Sequence, residues 1–229
     1  ADYSQIELRI VAHMADDTTM LDIFKANQDI HASTASAIYD VPVNKVTKEQ
    51  RRQAKAINFG LIYGMSAFGL TRATELTLAE AENFVKAYFE EFPGVKAYLD
   101  GIRKSAAEIG YVETLLGRKR YFPQLKNPVT AQIRSRAERE AINAPIQGSA
   151  ADILKIAMIR LPKKLTKANL HAKMLIQVHD ELLLECPEDE LNDTIKIVRE
   201  VMENAYKIKI HLVTDVAWGT NWGDLKDMD

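Results

Sequence analysis

The stretch "AKMLIQVHDELLLECP", Ala172 to Pro187, is typical of a hairpin, with two apolar runs joined at residues 179–181. A helix is expected from Pro187 to about Tyr206, and another strand from about Ile208 to Ala217. Strand patterns therefore occur toward both ends of the sequence, while helical periodicity dominates its middle. This order predicts an α+β fold in which a small sheet carries a large helical insertion.

Local signals define several elements of the insertion. Thr47 to Gln50 and Thr77 to Glu80 have the capping-box spacing that begins a helix. Pro93 separates the second of these helices from another that runs to about Gly110. The next segment, "YVETLLGRKRYFP", alternates around a Leu-Gly turn as a hairpin does.

Two further helices are predicted on either side of a break at Pro145 and Gly148. They correspond to "TAQIRSRAEREAIN" and "SAADILKIAMIRL", with Ser149 and Asp152 opening the second.

The composition limits the classes of function. A net charge of -2 over 229 residues would not gather nucleic acid or an anionic membrane through its bulk field, so any polyanion site must be local. Cys186 is the single cysteine, which excludes an internal disulfide. The apolar runs are shorter than a membrane span, and the first residues do not form a secretory leader. We expect a cytoplasmic protein with no membrane partner.

The segment "RRQAKAINFGLIYG", Arg51 to Gly64, places two cations and two aromatic rings at four-residue intervals. Because four helical residues advance about 400°, Arg51, Lys55, Phe59 and Tyr63 share one broad face. Cations near the positive end of a helix suit a polyphosphate, and the rings suit a sugar or base. The residues alone leave a second interpretation open, a solvated basic stripe that grades into core aromatics.

Three segments, in this order, resemble the polymerase motifs of the family A DNA polymerases: "DYSQIELR" at Asp2–Arg9, the Arg51–Gly64 helix, and "VHDE" at Val178–Glu181. Two linking segments strengthen the resemblance, "GRKRYFP" at Gly117–Pro123 and "RAEREAINAPIQGSAADILK" at Arg136–Lys155. The resemblance covers essentially the whole chain.

The family's organisation implies a small antiparallel palm sheet with a large helical fingers insertion. Residues 1–26 and 126–229 correspond to the palm, and residues 27–125 to the mainly helical fingers. Family members carry a thumb and part of the palm before the first motif. We therefore expect the chain to be the C-terminal part of a longer polymerase and to work with the missing N-terminal part.

The resemblance implies a template-directed DNA polymerase that adds deoxynucleotides to a primer 3′-hydroxyl and releases pyrophosphate. Asp2 and Asp180 would hold two Mg²⁺ ions, with help from the carbonyl of Tyr3, while Glu181 would support the site. Lys55 would also act in catalysis. From the residues alone, the alternative interpretations are a surface carboxylate near a terminus for Asp2 and a hairpin-turn aspartate for Asp180.

The deoxynucleoside triphosphate contacts are also implied by the family. Glu7 would crowd the 2′-carbon and so select deoxyribose, and phenylalanine at position 59 predicts poor use of chain terminators. Tyr63 would lie where the templating base enters, close to Glu7. The expected nucleotide-binding residues are Gln5, Glu7, His31, Arg51, Lys55, Phe59 and Tyr63.

Primer-template DNA is the second expected ligand. Arg139, Asn143 and Gln147 would contact its minor-groove side, and His179 the primer terminus. Glu140 departs from the family's usual uncharged residue, and would weaken that contact or pair with Arg136. The basic run at residues 118–120 suits either phosphates or solvent.

Two alternatives remain. A non-catalytic nucleotide- or DNA-binding fragment would need the missing thumb and upstream palm for activity. An RNA-synthesising relative is disfavoured by Glu7.

Overall fold

A computed structural model of the chain describes residues 1–74, 76–127 and 129–228. Their α-helices are α1 (Ile6–Ala15), α2 (Thr18–Lys25), α3 (Ile30–Tyr39), α4 (Lys48–Ile62), α5 (Ala67–Ala73), α6 (Leu78–Glu91), α7 (Pro93–Ile109), α8 (Pro123–Lys126), α9 (Ala131–Lys167) and α10 (Leu191–Glu203). Their strands are β1 (Asp2–Tyr3), β2 (Tyr111–Glu113), β3 (Lys119–Tyr121), β4 (Lys173–Val178), β5 (Glu181–Glu185), β6 (Thr214–Trp218) and β7 (Lys226–Met228). In this described part, every helix is too short or too polar to cross a lipid bilayer.

Five strands form an antiparallel sheet in the order β4-β5-β1-β6-β7. The central strand, β1, has only two residues. Asp2 pairs with Glu181 of β5 on one side and with Asp215 of β6 on the other. Between β1 and β4 the regular elements are helical apart from the β2-β3 hairpin. The predicted α+β fold with a small antiparallel sheet is confirmed.

The chain divides into two compact units, residues 1–10 with 149–229 and residues 11–148. In the first unit α10 packs on β6 through buried residues that include Val198, Met202 and Val216. The palm and fingers boundaries expected near residues 26 and 125 stay a prediction.

In the second unit, Asp17 joins two helix starts. One carboxylate oxygen accepts from the Met20 amide at 2.9 Å and so caps α2. The other accepts from the amides of Gly94 and Val95, at 2.8 and 3.3 Å, in the first turn of α7. This buried aspartate therefore satisfies amides at both N-termini.

The predicted local signals of this unit are present in the structure. Capping boxes at Thr47 and Thr77 begin α4 and α6. Pro93 begins α7, and Gly110 ends it with a left-handed backbone. The hairpin β2-β3 follows directly.

The predicted break at Pro145 and Gly148 is wrong, because α9 is continuous over 37 residues. Proline removes one hydrogen bond of the helix, but burial of the neighbouring Ile142 and Ile146 outweighs that loss. Gly148 serves close packing: a β-carbon there would lie 2.6 Å from Thr114 Cγ2.

The C-terminal elements are shorter than predicted. A 3-10 turn at Glu188–Glu190 precedes α10, which ends at Glu203, and β6 begins at Thr214. The alternation of Ile208, Ile210 and Leu212 reflects burial of an irregular segment, which imitates a strand pattern. The short strand β7 has no comparable apolar alternation in the sequence.

Candidate functional site

Four carboxylates concentrate negative charge around β1. Asp2 lies opposite Glu181 and Asp215 in the sheet, and Asp180 precedes Glu181 in the turn between β4 and β5. Asp2 remains accessible to solvent, but surrounding protein atoms remove part of its hydration. This partial burial, together with the charges of Asp180, Glu181 and Asp215, raises the pKa of Asp2 to about 6.

This environment fits a cation. Binding of a positive ion would relieve the repulsion that raises the pKa of Asp2. Within the described residues, no three His, Cys, Asp or Glu side chains form a group that would hold a metal alone. A divalent cation held by one or two carboxylates would complete its shell with water or ligand oxygens.

The turn that carries Asp180 has an unusual backbone. His179 has a φ of 53°, in the left-handed region, and is exposed at the first of two turn positions. Its carbonyl accepts a hydrogen bond from Gln177 Nε2 at 2.6 Å, and the Asp180 carbonyl accepts from the Tyr3 amide at 3.4 Å. A non-glycine residue in this region costs about 1–3 kcal/mol, and such strain is frequent at functional sites.

Tyr3, Gln5 and Glu7, which follow Asp2, differ in burial and in backbone conformation. The Tyr3 side chain is buried and donates to the Met202 carbonyl at 2.7 Å, so only its backbone remains for the expected metal contact. Gln5, with a φ of 55°, turns the chain from β1 into α1. Glu7 is half-buried, and its pKa is raised to about 6 by this burial and by the charge of Asp180.

Sequence reasoning missed Arg9, which fixes this turn. Its guanidinium is buried and donates through Nε to the Ser4 carbonyl at 3.0 Å and through Nη1 to the His211 carbonyl at 2.8 Å. Arg9 therefore ties the strand that carries Asp2 to the segment before β6.

In the second unit, α4 presents the predicted face. Arg51 and Lys55 are exposed, and Phe59 and Tyr63 are half-buried, with ring centroids 6.1 Å apart. No carboxylate pairs with Lys55 within the described ranges. The opposite side of α4 is buried at Ala54, Ile57, Asn58 and Leu61.

Asp29 links α3 to α4. Its Oδ1 accepts from the His31 and Ala32 amides at 2.9 and 3.2 Å, and so caps α3. Its Oδ2 accepts from Arg51 Nε at 2.5 Å. Burial opposes ionisation of Asp29, but the hydrogen bonds from Arg51 and the helix amides outweigh it and lower the pKa.

His31 is near the Asp29–Arg51 pair and is buried, with 2% of its surface exposed. Its Nδ1 is 3.0 Å from Nδ2 of the buried Asn58, and its ring centroid is 5.9 Å from that of Phe59. Burial lowers the pKa of His31 to about 4; the charges of Arg51 and Lys55 act in the same direction, and Asp29 opposes them. The histidine is therefore neutral near pH 7.

The predicted DNA-binding residues follow one side of α9 at four-residue spacing. Arg139 and Gln147 are exposed, and Asn143 is half-buried with an Oδ1 that has no hydrogen-bond partner among the described residues. Gly64, which follows α4 with a φ of 73°, approaches the same helix: a β-carbon there would lie 2.9 Å from Ile142 Cδ1 and 3.3 Å from Arg139 Cγ.

Glu140 pairs with two arginines, Arg136 at 2.9 Å and Arg120 at 2.8 Å, so the expected pairing with Arg136 is present. Arg118 donates to the Gly148 carbonyl at 3.1 Å, and Lys119 lies 3.4 Å from Glu113. The basic run is therefore engaged by protein groups.

Comparison with known proteins identifies the protein family. The sequence model of DNA polymerase family A matches residues 1–224. The chain belongs to DNA polymerase family A. This membership confirms the resemblance carried by the three motifs.

Two bacterial proteins illustrate the similarity within the family. The chain is 49% identical over 226 residues to DNA polymerase I of Caldicellulosiruptor bescii, covering 99% of this chain and 26% of that protein. It is 47% identical over 224 residues to DNA polymerase I of Pseudomonas aeruginosa, covering 98% and 24% respectively. The family A chain thus spans about a quarter of the length of these relatives.

A solved family relative has the same fold. The POL domain of Pol1 from M. smegmatis, in complex with DNA primer-template and dNTP, superposes with a TM-score of 0.88 at 45% identity. The match covers 92% of this chain and 37% of that chain.

Proposed function

We propose that the chain is the catalytic segment of a template-directed DNA polymerase, which extends a primer 3′-hydroxyl and releases pyrophosphate. The observation that carries this proposal is the partly desolvated Asp2 carboxylate beside Asp180 and Glu181, in a member of DNA polymerase family A. Nucleotidyl transfer requires concentrated negative charge where cations must gather.

Asp2 and Asp180 would hold two Mg²⁺ ions, with the Tyr3 carbonyl as a further oxygen ligand and Glu181 in support. Bound there, the ions would activate the primer hydroxyl and neutralise the triphosphate and the leaving pyrophosphate. The buried Tyr3 side chain and the Arg9 contacts hold the backbone that carries Asp2.

The triphosphate would bind to Arg51 and Lys55, the exposed cations of α4, with His31 as an additional donor. Phe59 would pack against the nucleotide, and Tyr63 would face the templating base. Gln5 and Glu7 would contact the sugar, where Glu7 would exclude a 2′-hydroxyl.

Primer-template DNA would lie along Arg139, Asn143 and Gln147, with His179 at the primer terminus. The exposed Arg139 and Gln147 side chains support this placement, because they lie on one accessible side of α9. Minor-groove atoms have similar positions in all base pairs, so these side chains would test pair shape without reading sequence.

The experiment is extension of a labelled primer-template by the chain with Mg²⁺ and four deoxynucleotides, beside Asp180→Asn. Templated extension that the variant loses is expected, while primer-template affinity remains within about threefold. Asp189→Asn, which alters an exposed aspartate nine residues away, should extend like the unaltered chain. Equal extension by Asp180→Asn would reject the proposal.

A non-catalytic binding segment is the second candidate, favoured by coverage of only about a quarter of the relatives. It predicts binding of primer-template and deoxynucleotide without extension. Addition of the preceding part of the polypeptide should then restore extension.

A further inference from the structure

Asn58 sits at the centre of a buried polar network beside the triphosphate candidates. It is 0% exposed, and its Nδ2 lies 3.0 Å from His31 Nδ1 and 3.1 Å from Thr34 Oγ1. Thr34 Oγ1 also lies 2.8 Å from the Ile30 carbonyl. Asn58, His31 and Thr34 thus join α4 to α3 through buried side chains.

The hydrogen atoms of this network can be assigned in sequence. The Thr34 hydroxyl has two acceptors within reach, the Ile30 carbonyl at 2.8 Å and Asn58 Oδ1 at 3.1 Å, and its single hydrogen is donated to the nearer one. Thr34 Oγ1 then accepts one amide hydrogen of Asn58, and the other points at His31 Nδ1. In this orientation of the Asn58 amide, Nδ2 faces His31, and since an amide nitrogen donates but does not accept, Nδ1 presents its lone pair.

We propose that Asn58 is a positioning residue that holds His31 as the neutral Nε2–H tautomer, so that His31 offers the triphosphate a hydrogen-bond donor. The second half of this statement rests on the proposed polymerase function; the tautomer itself does not. A proton on Nδ1 would face the Asn58 amide hydrogen and leave both buried donors unpaired.

The electrostatic surroundings agree with this assignment. The charged groups around the ring are Asp29, at the start of α3, and Arg51 and Lys55 of α4. Burial is the main factor that disfavours an imidazolium; Arg51 and Lys55 disfavour it as well, and Asp29 opposes them. Arg51 and Lys55 would therefore attract the triphosphate by their charge, and His31 would orient it through a directional hydrogen bond.

The first test is the ¹⁵N NMR spectrum of the histidine rings at pH 7.5. His31, assigned by the loss of its signals in His31→Gln, should show a protonated Nε2 and an unprotonated Nδ1. His171 provides an internal reference, because its Nδ1 lies 2.6 Å from a Glu190 carboxylate oxygen and should be a donor. A protonated Nδ1 on His31 would overturn the proposal, and this measurement needs no altered network.

The second test uses Asn58→Asp, whose carboxylate accepts from Nδ1–H and moves the lone pair to Nε2. We expect its KM for deoxynucleotide, relative to the unaltered chain, to rise about tenfold at pH 8.5 and to recover at pH 6, where the ring becomes an imidazolium. The kcat should change less than about twofold.

Thr34→Val is the matched control, because it removes one bond to Asn58 and leaves the His31 contact. It should lower stability without a pH-dependent change in KM. The donor role would be refuted if Thr34→Val showed the same pH dependence of KM. It would also be refuted if NMR showed the switched tautomer in Asn58→Asp and the KM of that variant did not depend on pH. An Nε2–H tautomer in a chain without nucleotide incorporation would reject the polymerase proposal and leave the assignment intact.

Discussion

Asp29 and Arg51 are joined by an ion pair in which Oδ2 lies 2.5 Å from Nε. The same carboxylate caps α3 through Oδ1. Their side chains are 37% and 45% exposed, so the pair is partly screened by solvent. Asp29 engages Nε, so under the proposed function the Nη1 and Nη2 groups of Arg51 would bind the triphosphate as a fork.

Asp29→Ser should separate the two roles of this carboxylate. Serine preserves the helix cap but is too short to reach Arg51, so the midpoint of thermal unfolding should change little. The KM for deoxynucleotide should rise about three- to tenfold, because the guanidinium loses its orientation. Asp22→Ser, which breaks the exposed Asp22–Lys25 pair at 3.0 Å, should change neither value. A lowered KM in Asp29→Ser would show that Asp29 competes with the triphosphate.

His31 should make the protein sensitive to acid. Its pKa is about 4 in the folded chain, below the ordinary value of 6.5. Between pH 6.5 and 4 the unfolded chain binds a proton that the folded chain excludes, so the free energy of unfolding falls on acidification. His31 should account for a loss of about 3 kcal/mol across that window and for none above it.

The measurement is the free energy of unfolding in urea at pH 7 and pH 4. His31→Gln should lose less stability between the two than the unaltered chain, while the exposed His171→Gln should lose the same amount. Parallel losses in all three proteins would contradict the prediction.

Asp17→Ala should be strongly destabilising, because one buried carboxylate serves the N-termini of α2 and α7. We expect a loss of about 2–4 kcal/mol in urea unfolding. Ser66→Ala removes the cap of α5, an exposed bond of 3.2 Å, and should cost about 1 kcal/mol. Equal costs would mean that the second helix start does not depend on Asp17.

Gly64→Ala should also destabilise the protein. Its φ of 73° disfavours a side chain, and the new β-carbon would lie 2.9 Å from Ile142 Cδ1. The expected loss is about 2–3 kcal/mol. Gly101→Ala is the matched control, because Gly101 lies within helix α7 and an added β-carbon would meet no described neighbour within 4 Å. Its free energy of unfolding should increase by up to about 1 kcal/mol. A neutral Gly64→Ala would show that the turn rearranges.

Glu7→Ala should relax sugar selection under the proposed function. We expect the ratio of kcat/KM for a deoxynucleotide to that for its ribonucleotide to fall about 10- to 200-fold. Glu7→Gln keeps the volume and should keep most of the selection if exclusion is steric. Glu82→Ala, on the exposed side of α6, should leave the ratio unchanged. Full selection in Glu7→Ala would assign the discrimination to another residue.

What the sequence predicts well is local or carried by a motif. The boxes at Thr47 and Thr77 lie within four residues, so their helix starts are readable directly. The break at Pro145 and Gly148 was a wrong prediction because the need for glycine comes from Thr114, far away in the chain. Spacing likewise cannot reveal pairs such as Asp29–Arg51.

The candidate site likewise contains residues that the motifs predicted and residues that only the structure revealed. Motif resemblance singled out Asp2 and Asp180, but their repulsion depends on sheet register. Arg9 and Asn58 lay inside recognised motifs without any polar pattern to distinguish them. Their importance follows from burial with specific partners, which a single sequence does not display.

The two-residue strand β1 lies between strands that begin at residues 181 and 214. During translation Asp2 therefore emerges long before either neighbour exists. At about 5–20 residues per second, the ribosome needs roughly 10–40 s to deliver both. The carboxylate cluster consequently cannot assemble before β5 and β6 have been synthesised, and a product released before that point would lack it.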